Sequence, residues 1–311
     1  MFISICIPTY KSSAELERLL DSLNKQTFTD YEVVISDDSP DESVKGIIDE
    51  GYAEMKIRYF HNGTSLGTPQ NWNNAVAQSQ GEWIKLMHHD DWFYDENSLM
   101  EFVKYAQMRK DANFIFCAFQ NHYLDVGTTE KYYCSPIDIL LLRVNRLNLF
   151  KTFMGNPSCT LIHCRNKPYS YDSNFKWLID FDFYTSLFKK NNSFIYIDKV
   201  LVSVGMHKGQ VTASVFQNPK VEVPESIALI EKHGTSILKN IFVYDFFWRM
   251  YRNLGIRSME EFNSFLNTEC NYAPITDIIN AEGRVPQRRL KIGFISKFYM
   301  FISFVKNYFH N

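Results

Sequence analysis

Short apolar, β-rich runs recur through the first part of the chain, at residues 2–7, 31–36, 57–61 and 83–87, with helical spacing between them. After the first run, Leu16, Leu19, Leu20 and Leu23 fall on one helix face, and Ser12 or Ser13 is placed to cap that helix. Strand, helix, strand, helix, strand is the pattern of a parallel sheet wound on both faces, because parallel neighbours need a long crossover. The expected fold class is therefore α/β, a doubly wound, mostly parallel sheet with flanking helices. The 311 residues suffice for one large or two modest domains. Beyond about residue 218 the composition turns helix-like, so a boundary is expected there, giving units 1–217 and 218–311.

Two of these runs end in acid. Residues 83–87 stop at His88-His89-Asp90-Asp91, and residues 31–36 stop at Asp37-Asp38-Ser39-Pro40-Asp41. Open α/β sheets bind ligands at the carboxyl ends of their strands. Adjacent like charges repel, and oxygen donors suit Mg²⁺ or Mn²⁺. The bland alternative is that Asp90 and Asp91 cap the next helix, expected over 95–108, and that Asp37 and Asp38 are turn residues. A zinc site at His88, His89, Asp90 and Asp91 lacks a separated fourth ligand. Thr68 and Pro69 are placed to start a helix over 71–77, whose N-terminus suits a phosphate. Asn71 and Trp72 read as helix-start and packing residues. There is no GxGxxG and no P-loop.

Further strands are expected at 114–119, 132–134, 159–164 and 194–204, and a helix over 137–150. Asp180 is unusual: a carboxylate among Trp177, Ile179, Phe181 and Phe183 needs a partner or a task. The loop 205–212 carries His207, which reads equally as a solvated loop residue or a phosphate contact.

With 33 basic and 35 acidic residues, net charge −2, the chain lacks the basic excess of a nucleic-acid binder. Six cysteines without CxxC spacing read as buried thiols in a reducing compartment. The start shows no basic leader, and no run of ~20 apolar residues is present.

The ordered set of motifs over residues 1–212 resembles the family 2 glycosyltransferases, which share the GT-A fold. It comprises Pro8-Thr9-Tyr10, Gln26-Thr27-Phe28, Val34-Ile35-Ser36-Asp37-Asp38-Ser39, Asn62, Leu66-Gly67, Asn71-Trp72-Asn73, Gly81-Glu82-Trp83-Ile84-Lys85 and His88-His89-Asp90-Asp91-Trp92. The flavour is that of bacterial enzymes building surface polysaccharide, O-antigen or capsule. The resemblance implies that residues 1–217 form a nucleotide-sugar domain. It implies that Tyr10 stacks on the base beside Pro8 and Thr9, that Asp38 accepts a hydrogen bond from the base, and that Asp90 lies near the ribose. It makes Asp91 the ligand of Mn²⁺ or Mg²⁺, Asp180 the catalytic base, with Asp182 as competitor, and His207 a neighbour of the diphosphate. Two positions depart from the family: His88 stands where Asp is frequent, and Ile179-Asp180-Phe181-Asp182 replaces a Glu-Asp pair.

The implied reaction is inverting transfer of a sugar, from a UDP-sugar or another nucleoside-diphosphate sugar, to a hydroxyl of a glycan or lipid-linked acceptor. Apolar neighbours would raise the pKa of Asp180 toward working pH. A nucleotidyltransferase is disfavoured because Pro8–Ser13 offers only Lys11 for phosphate, and a non-catalytic sugar-nucleotide-binding or scaffold protein because all the acids are present. At the C-terminus, Arg284, Arg288, Arg289 and Lys291 lead into the aromatic-rich residues 292–305. Basic residues before an aromatic amphipathic stretch predict a helix lying on a membrane surface. The alternative is a helix packed on protein, and an oligomer stays open. The expected location is cytoplasmic, peripheral at the inner face of the cell membrane.

Overall fold

The computed structural model describes residues 1–311 apart from 12, 110, 152–153, 169, 192, 208, 211–214 and 311. Two compact units emerge. The first comprises Met1–Ile139, Phe153–Ser173 and Ser186–Gln210; the second comprises Leu140–Thr152, Asn174–Thr185 and Val211–Asn311. Two internal segments thus cluster with the C-terminal helices.

The first unit is built on one nine-stranded sheet. Its N-terminal half is the expected alternation: β1 (Ile3–Thr9), α1 (Ser13–Asn24), β2 (Tyr31–Asp37), α2 (Ser43–Gly51), β3 (Ile57–His61), α3 (Gln70–Gln78) and β4 (Trp83–Leu86). The four strands lie in the order β3-β2-β1-β4, all parallel. The leucines of α1 are fully buried with Ile3, Ile5, Val33 and Ile35. Beyond β4 the sheet is mixed. It continues through β8 (Thr160–His163), β6 (Phe114–Tyr123), β9 (Phe194–Met206) and β5 (Trp92–Phe93), with β7 (Thr128–Tyr132) paired to β6. β8 runs antiparallel to β4 and β6, β5 antiparallel to β9, and β6 parallel to β9.

Several expected boundaries move. Ser12 lies outside the described residues, and so do Lys208, Val211 and Thr212 of the polar loop. Thr68 does not cap α3; Pro69 stands at the cap position without a side-chain bond. The helix expected over 95–108 begins only at Ser98, as α4 (Ser98–Met108), because Asp95 closes a turn, accepting from Asn97 N at 2.9 Å and Ser98 Oγ at 3.0 Å. The helix expected over 137–150 is two pieces, α5 (Pro136–Val144) and a 3₁₀ turn Arg146–Phe150. Asn145 breaks it by accepting from Leu147 N at 2.9 Å, the competition with helix that Asn side chains offer. The strand expected at 132–134 lies earlier, as β7.

The second unit is helical. α6 (Ile179–Lys190) begins in it, followed by α7 (Pro219–His233), α8 (Ile241–Leu254), α9 (Met259–Asn263), α10 (Ala273–Arg284), α11 (Gln287–Leu290) and α12 (Gly293–His310). Its core includes Leu229, Phe247, Trp248, Tyr251, Ile275, Ile279 and Leu290. α12 is amphipathic in an inverted sense. Its buried stripe is Ser296, Met300, Ser303 and Asn307, at helical spacing. Ser296 accepts from Trp248 Nε1 at 3.0 Å, and Ser303 pairs with Tyr244 OH at 2.8 Å. Asn307 donates to Asp277 at 3.0 Å. Phe294, Phe298, Phe301, Ile302 and Phe309 are exposed. No helix among the described residues is long and apolar enough to cross a membrane. The six cysteines are free, with Cys6, Cys117, Cys159 and Cys270 buried.

Candidate active site

β2 and β4 deliver the acidic residues to the carboxyl end of the sheet, beside the Pro8–Thr9 end of β1. Asp37 is fully buried and is spent on structure: it accepts from Thr9 Oγ1 (3.0 Å), Ser39 N (2.9 Å) and Tyr59 OH (2.8 Å). Asp38 accepts from Asn62 Nδ2 (2.7 Å), Leu66 N (3.0 Å) and Gly67 N (2.7 Å). A carboxylate has roughly four lone-pair sites, so one acceptor direction remains. Pro8 and Thr9 are buried, whereas Tyr10 is 49 % exposed, with Lys11 Nζ 5.2 Å from its ring centroid. Asn62, Asn71 and Asn74 knit the floor together: Asn71 donates to Thr9 O at 3.1 Å, and Asn74 donates to Asn62 Oδ1 and Ser36 Oγ, both at 2.9 Å.

Asp90 and Asp91 follow β4 as expected, and their surroundings differ. Asp91 Oδ2 accepts from Asn156 Nδ2 at 2.8 Å and Oδ1 from Gly205 N at 3.1 Å. Burial, reinforced by the charge of Asp90, pushes the Asp91 carboxyl up to about 8. Asp90 takes Gln210 Nε2 at 2.9 Å, and His207 Nε2 lies 3.3 Å from the same oxygen. Burial acts to raise Asp90, but His89, His88 and Gln210 outweigh it and hold the carboxyl below the usual range. The two carboxyls are thus pushed in opposite directions, the expected outcome for like charges side by side.

His88 joins them. Its Nδ1 lies 3.8 Å from Asp91 Oδ2, and its ring packs 4.6 Å from that of Trp72, which meets Tyr171 edge-on at 5.2 Å. Burial drops His88 to about 4, so the imidazole is neutral, and its buried Nε2 has no hydrogen-bond partner among the described residues. Ligand atoms of His88, Asp90 and Asp91 lie within 4.8 Å of one another. A neutral imidazole with an unused nitrogen beside two carboxyls fits a divalent ion. His89 is turned away, with Nδ1 3.3 Å from the Pro8 carbonyl oxygen.

Asp180 belongs to the second unit. Its helix is set by Glu225 of α7, whose carboxylate accepts from the amides of Lys176 (2.7 Å), Trp177 (2.9 Å) and Leu178 (2.8 Å). The Oδ1 of Asp180 is buried without a partner among the described residues, and burial pushes its carboxyl up to about 7. Asp182 has partners on both oxygens, Lys232 Nζ and His233 Nε2, each at 2.8 Å.

The structure therefore brings Pro8, Thr9, Asp38, Asp90, Asp91 and His207 into the first unit's sheet-end cluster, with His207 against Asp90. Sequence reasoning missed Gln210, Asn156 and Ser158, whose contacts arise only on folding. It also passed over Lys85, whose signal was legible as one lysine inside an apolar run.

Comparison with known proteins gives these features a context. The fold is similar to that of S. aureus TarS 1–349, solved in complex with UDP-GlcNAc, at a TM-score of 0.65 and 18 % identity, covering 99 % of this chain and 89 % of that one. An uncharacterized glycosyltransferase of Haemophilus influenzae is 28 % identical over 155 residues, 50 % of this chain and 51 % of the relative. A GalNAc(5)-diNAcBac-PP-undecaprenol β-1,3-glucosyltransferase of Campylobacter jejuni is 30 % identical over 91 residues, 29 % of each. The chain thus spans about half the length, or less, of these curated relatives. The profile described as Glycosyl transferase family 2 matches residues 4–192, and the chain belongs to that family, with a fold of GT-A type.

Proposed function

We propose that this chain is an inverting glycosyltransferase that moves a sugar from a UDP-sugar to a hydroxyl of a glycan or lipid-linked acceptor in surface-polysaccharide synthesis. The observation that carries the reading is the cluster of His88, Asp90 and Asp91 at the sheet end that also bears Asp38 and the exposed ring of Tyr10. Residues 1–217 serve the nucleotide sugar and residues 218–311 support and dock the enzyme. Tyr10 stacks on the base beside Pro8 and Thr9, and Asp38 uses its remaining acceptor direction for a base N–H. Asp90 serves the ribose, and His207 lies beside the diphosphate; the contact of His207 with Asp90 supports this reading. Asp91, with His88, would hold Mn²⁺ or Mg²⁺; when bound, the ion supplies positive charge at the leaving diphosphate.

Asp180 acts as the base. The acceptor oxygen attacks the anomeric carbon, the bond from that carbon to the diphosphate oxygen breaks, and the acceptor proton passes to Asp180 Oδ1. Its elevated pKa and absent partner support this use, while the two partners of Asp182 support a structural role there. A lipid-linked acceptor agrees with the undecaprenol-linked substrate in the name of the Campylobacter relative. The exposed aromatic face of α12, beside exposed Arg288, Arg289 and Lys291, supports docking at the inner surface of the cell membrane.

The test is a panel of UDP-, GDP- and dTDP-sugars, followed for binding, hydrolysis and transfer with and without Mn²⁺. Consumption of one UDP-sugar supports the reading, and a chain that binds none of the panel refutes it.

A further inference from the structure

β4 carries one charged side chain, Lys85, and it is completely buried. An ammonium without partners there would be very costly. The three groups nearest its Nζ are the carbonyl of Ser158, the carbonyl of Thr160 at 3.2 Å, and the face of Phe102, whose centroid is 4.6 Å away, ahead of the Phe93 ring at 5.9 Å. These match the three N–H donors of an ammonium. A methionine would fill similar volume without desolvating a charge, so packing alone does not account for a lysine.

The two carbonyls belong to the turn that serves Asp91. Ser158 is fully buried, and its Oγ accepts from His88 N at 2.9 Å. Asn156, in the same turn, donates to Asp91 at 2.8 Å. The turn is closed by Thr160 Oγ1 donating to Pro157 O at 2.8 Å. Gly155, at φ +79°, allows the entry: a Cβ there would lie 2.7 Å from Cys159 Cβ. One ammonium thus ties down the strip of backbone that presents Asn156 to Asp91 and Ser158 to the His88 amide.

We propose that Lys85 is a positioning residue for Asp91 and His88, acting through the carbonyls of Ser158 and Thr160. The proposal rests on the reading of Asp91 as the cation-holding residue of a glycosyltransferase.

The experiment compares wild type, Lys85→Met, Ser158→Ala and the double variant for thermal stability, calorimetric binding of UDP with Mn²⁺, and kcat against donor KM. Lys85→Met is expected to stay folded, to bind Mn²⁺–UDP about 10–100-fold more weakly, and to lose kcat to a similar degree. Ser158→Ala should show part of the same loss, and the double variant should be no worse than Lys85→Met alone. A lysine serving only stability would lower the melting temperature and leave the affinity of the folded protein intact. Wild-type affinity in folded Lys85→Met, or fully additive losses, overturns the proposal. If Lys85→Met does not fold, Ser158→Ala decides, and wild-type affinity there overturns it. If wild type itself binds neither Mn²⁺ nor UDP, the glycosyltransferase reading falls instead. A crystal structure of Lys85→Met then judges the lysine, and an Asp91 still bonded to Asn156 with a His88 amide still bonded to Ser158 refutes its role.

Discussion

Asp180 and Asp182 stand on the first turn of one helix, yet Asp182 is bonded through both oxygens, to Lys232 and His233, while Asp180 Oδ1 is buried without a partner among the described residues. Asp180→Asn should therefore leave UDP affinity near wild type and lower kcat by about 10²–10⁴. A base must be deprotonated to act, and Asp180 is pushed up to about 7, so wild-type kcat should rise with pH through an inflection near that value. Rapid single-turnover assays across pH 5–9 check both points. A dead, stably folded Asp182→Asn beside an active Asp180→Asn would reverse the assignment.

Removal of the divalent ion should abolish UDP binding rather than merely slow transfer. Asp91→Ala should reproduce the effect of EDTA, with a loss of several kcal/mol at the transition state. Calorimetry with UDP, before and after chelation, measures it. Unchanged binding in EDTA would contradict the ligand role of Asp91.

Glu282 of α10 is fully buried, and neither carboxyl oxygen has a hydrogen-bond partner among the described residues. Burial pushes its carboxyl up to about 9, against the partial relief of Arg257 and Arg252. A folded-state value above the unfolded one means that the folded protein prefers the protonated form. Its unfavourable contribution is absent below about pH 4.5 and grows as pH rises toward 9. Glu282→Met, which leaves no buried donor or acceptor behind, should stabilise the protein at pH 8 by on the order of a few kcal/mol and by much less at pH 5. Urea denaturation at the two pH values reads the difference.

The exposed rings of α12 allow a membrane test that leaves folding alone. Phe298→Glu with Phe301→Glu should reduce sedimentation with vesicles containing anionic lipid while the melting temperature stays put. Arg288→Gln and Arg289→Gln should each weaken binding by about 1 kcal/mol, and raised salt should weaken it further. Deleting α12 is a poorer probe, since Ser296, Met300, Ser303 and Asn307 belong to the packed interior. Equal sedimentation by wild type and the double glutamate variant would remove the membrane reading.

The parts of the fold legible in the sequence are those with a period. β1 to β4 and α1 announce themselves by apolar runs and leucine spacing, and the acids at their ends mark the sheet edge where ligands bind. β8 was legible as a strand at 159–164, but β5 has two residues, too few for any alternation, and the direction of the antiparallel returns that make the sheet mixed is not written in a local period. The helix expected over 137–150 failed at Asn145, where a side-chain bond to Leu147 outcompetes helical pairing. The site was legible as residue types and not as partners. Asp90 and Gln210 are 120 positions apart and meet at 2.9 Å only because β9 returns to the sheet. The split between Asp180 and Asp182 likewise depends on α7, which supplies Lys232 and His233.

Because α12 is held by serines, an asparagine and one methionine on its inner stripe, its outer phenylalanines add little to folding and burden the solubility of the free protein. Their effect is on partition. A protein with such a face distributes between water and any apolar boundary according to the area of boundary available. Under the proposed docking, turnover on a boundary-held acceptor should scale with boundary area as well as with substrate concentration, and detergent or salt would regulate the enzyme without touching its catalytic residues.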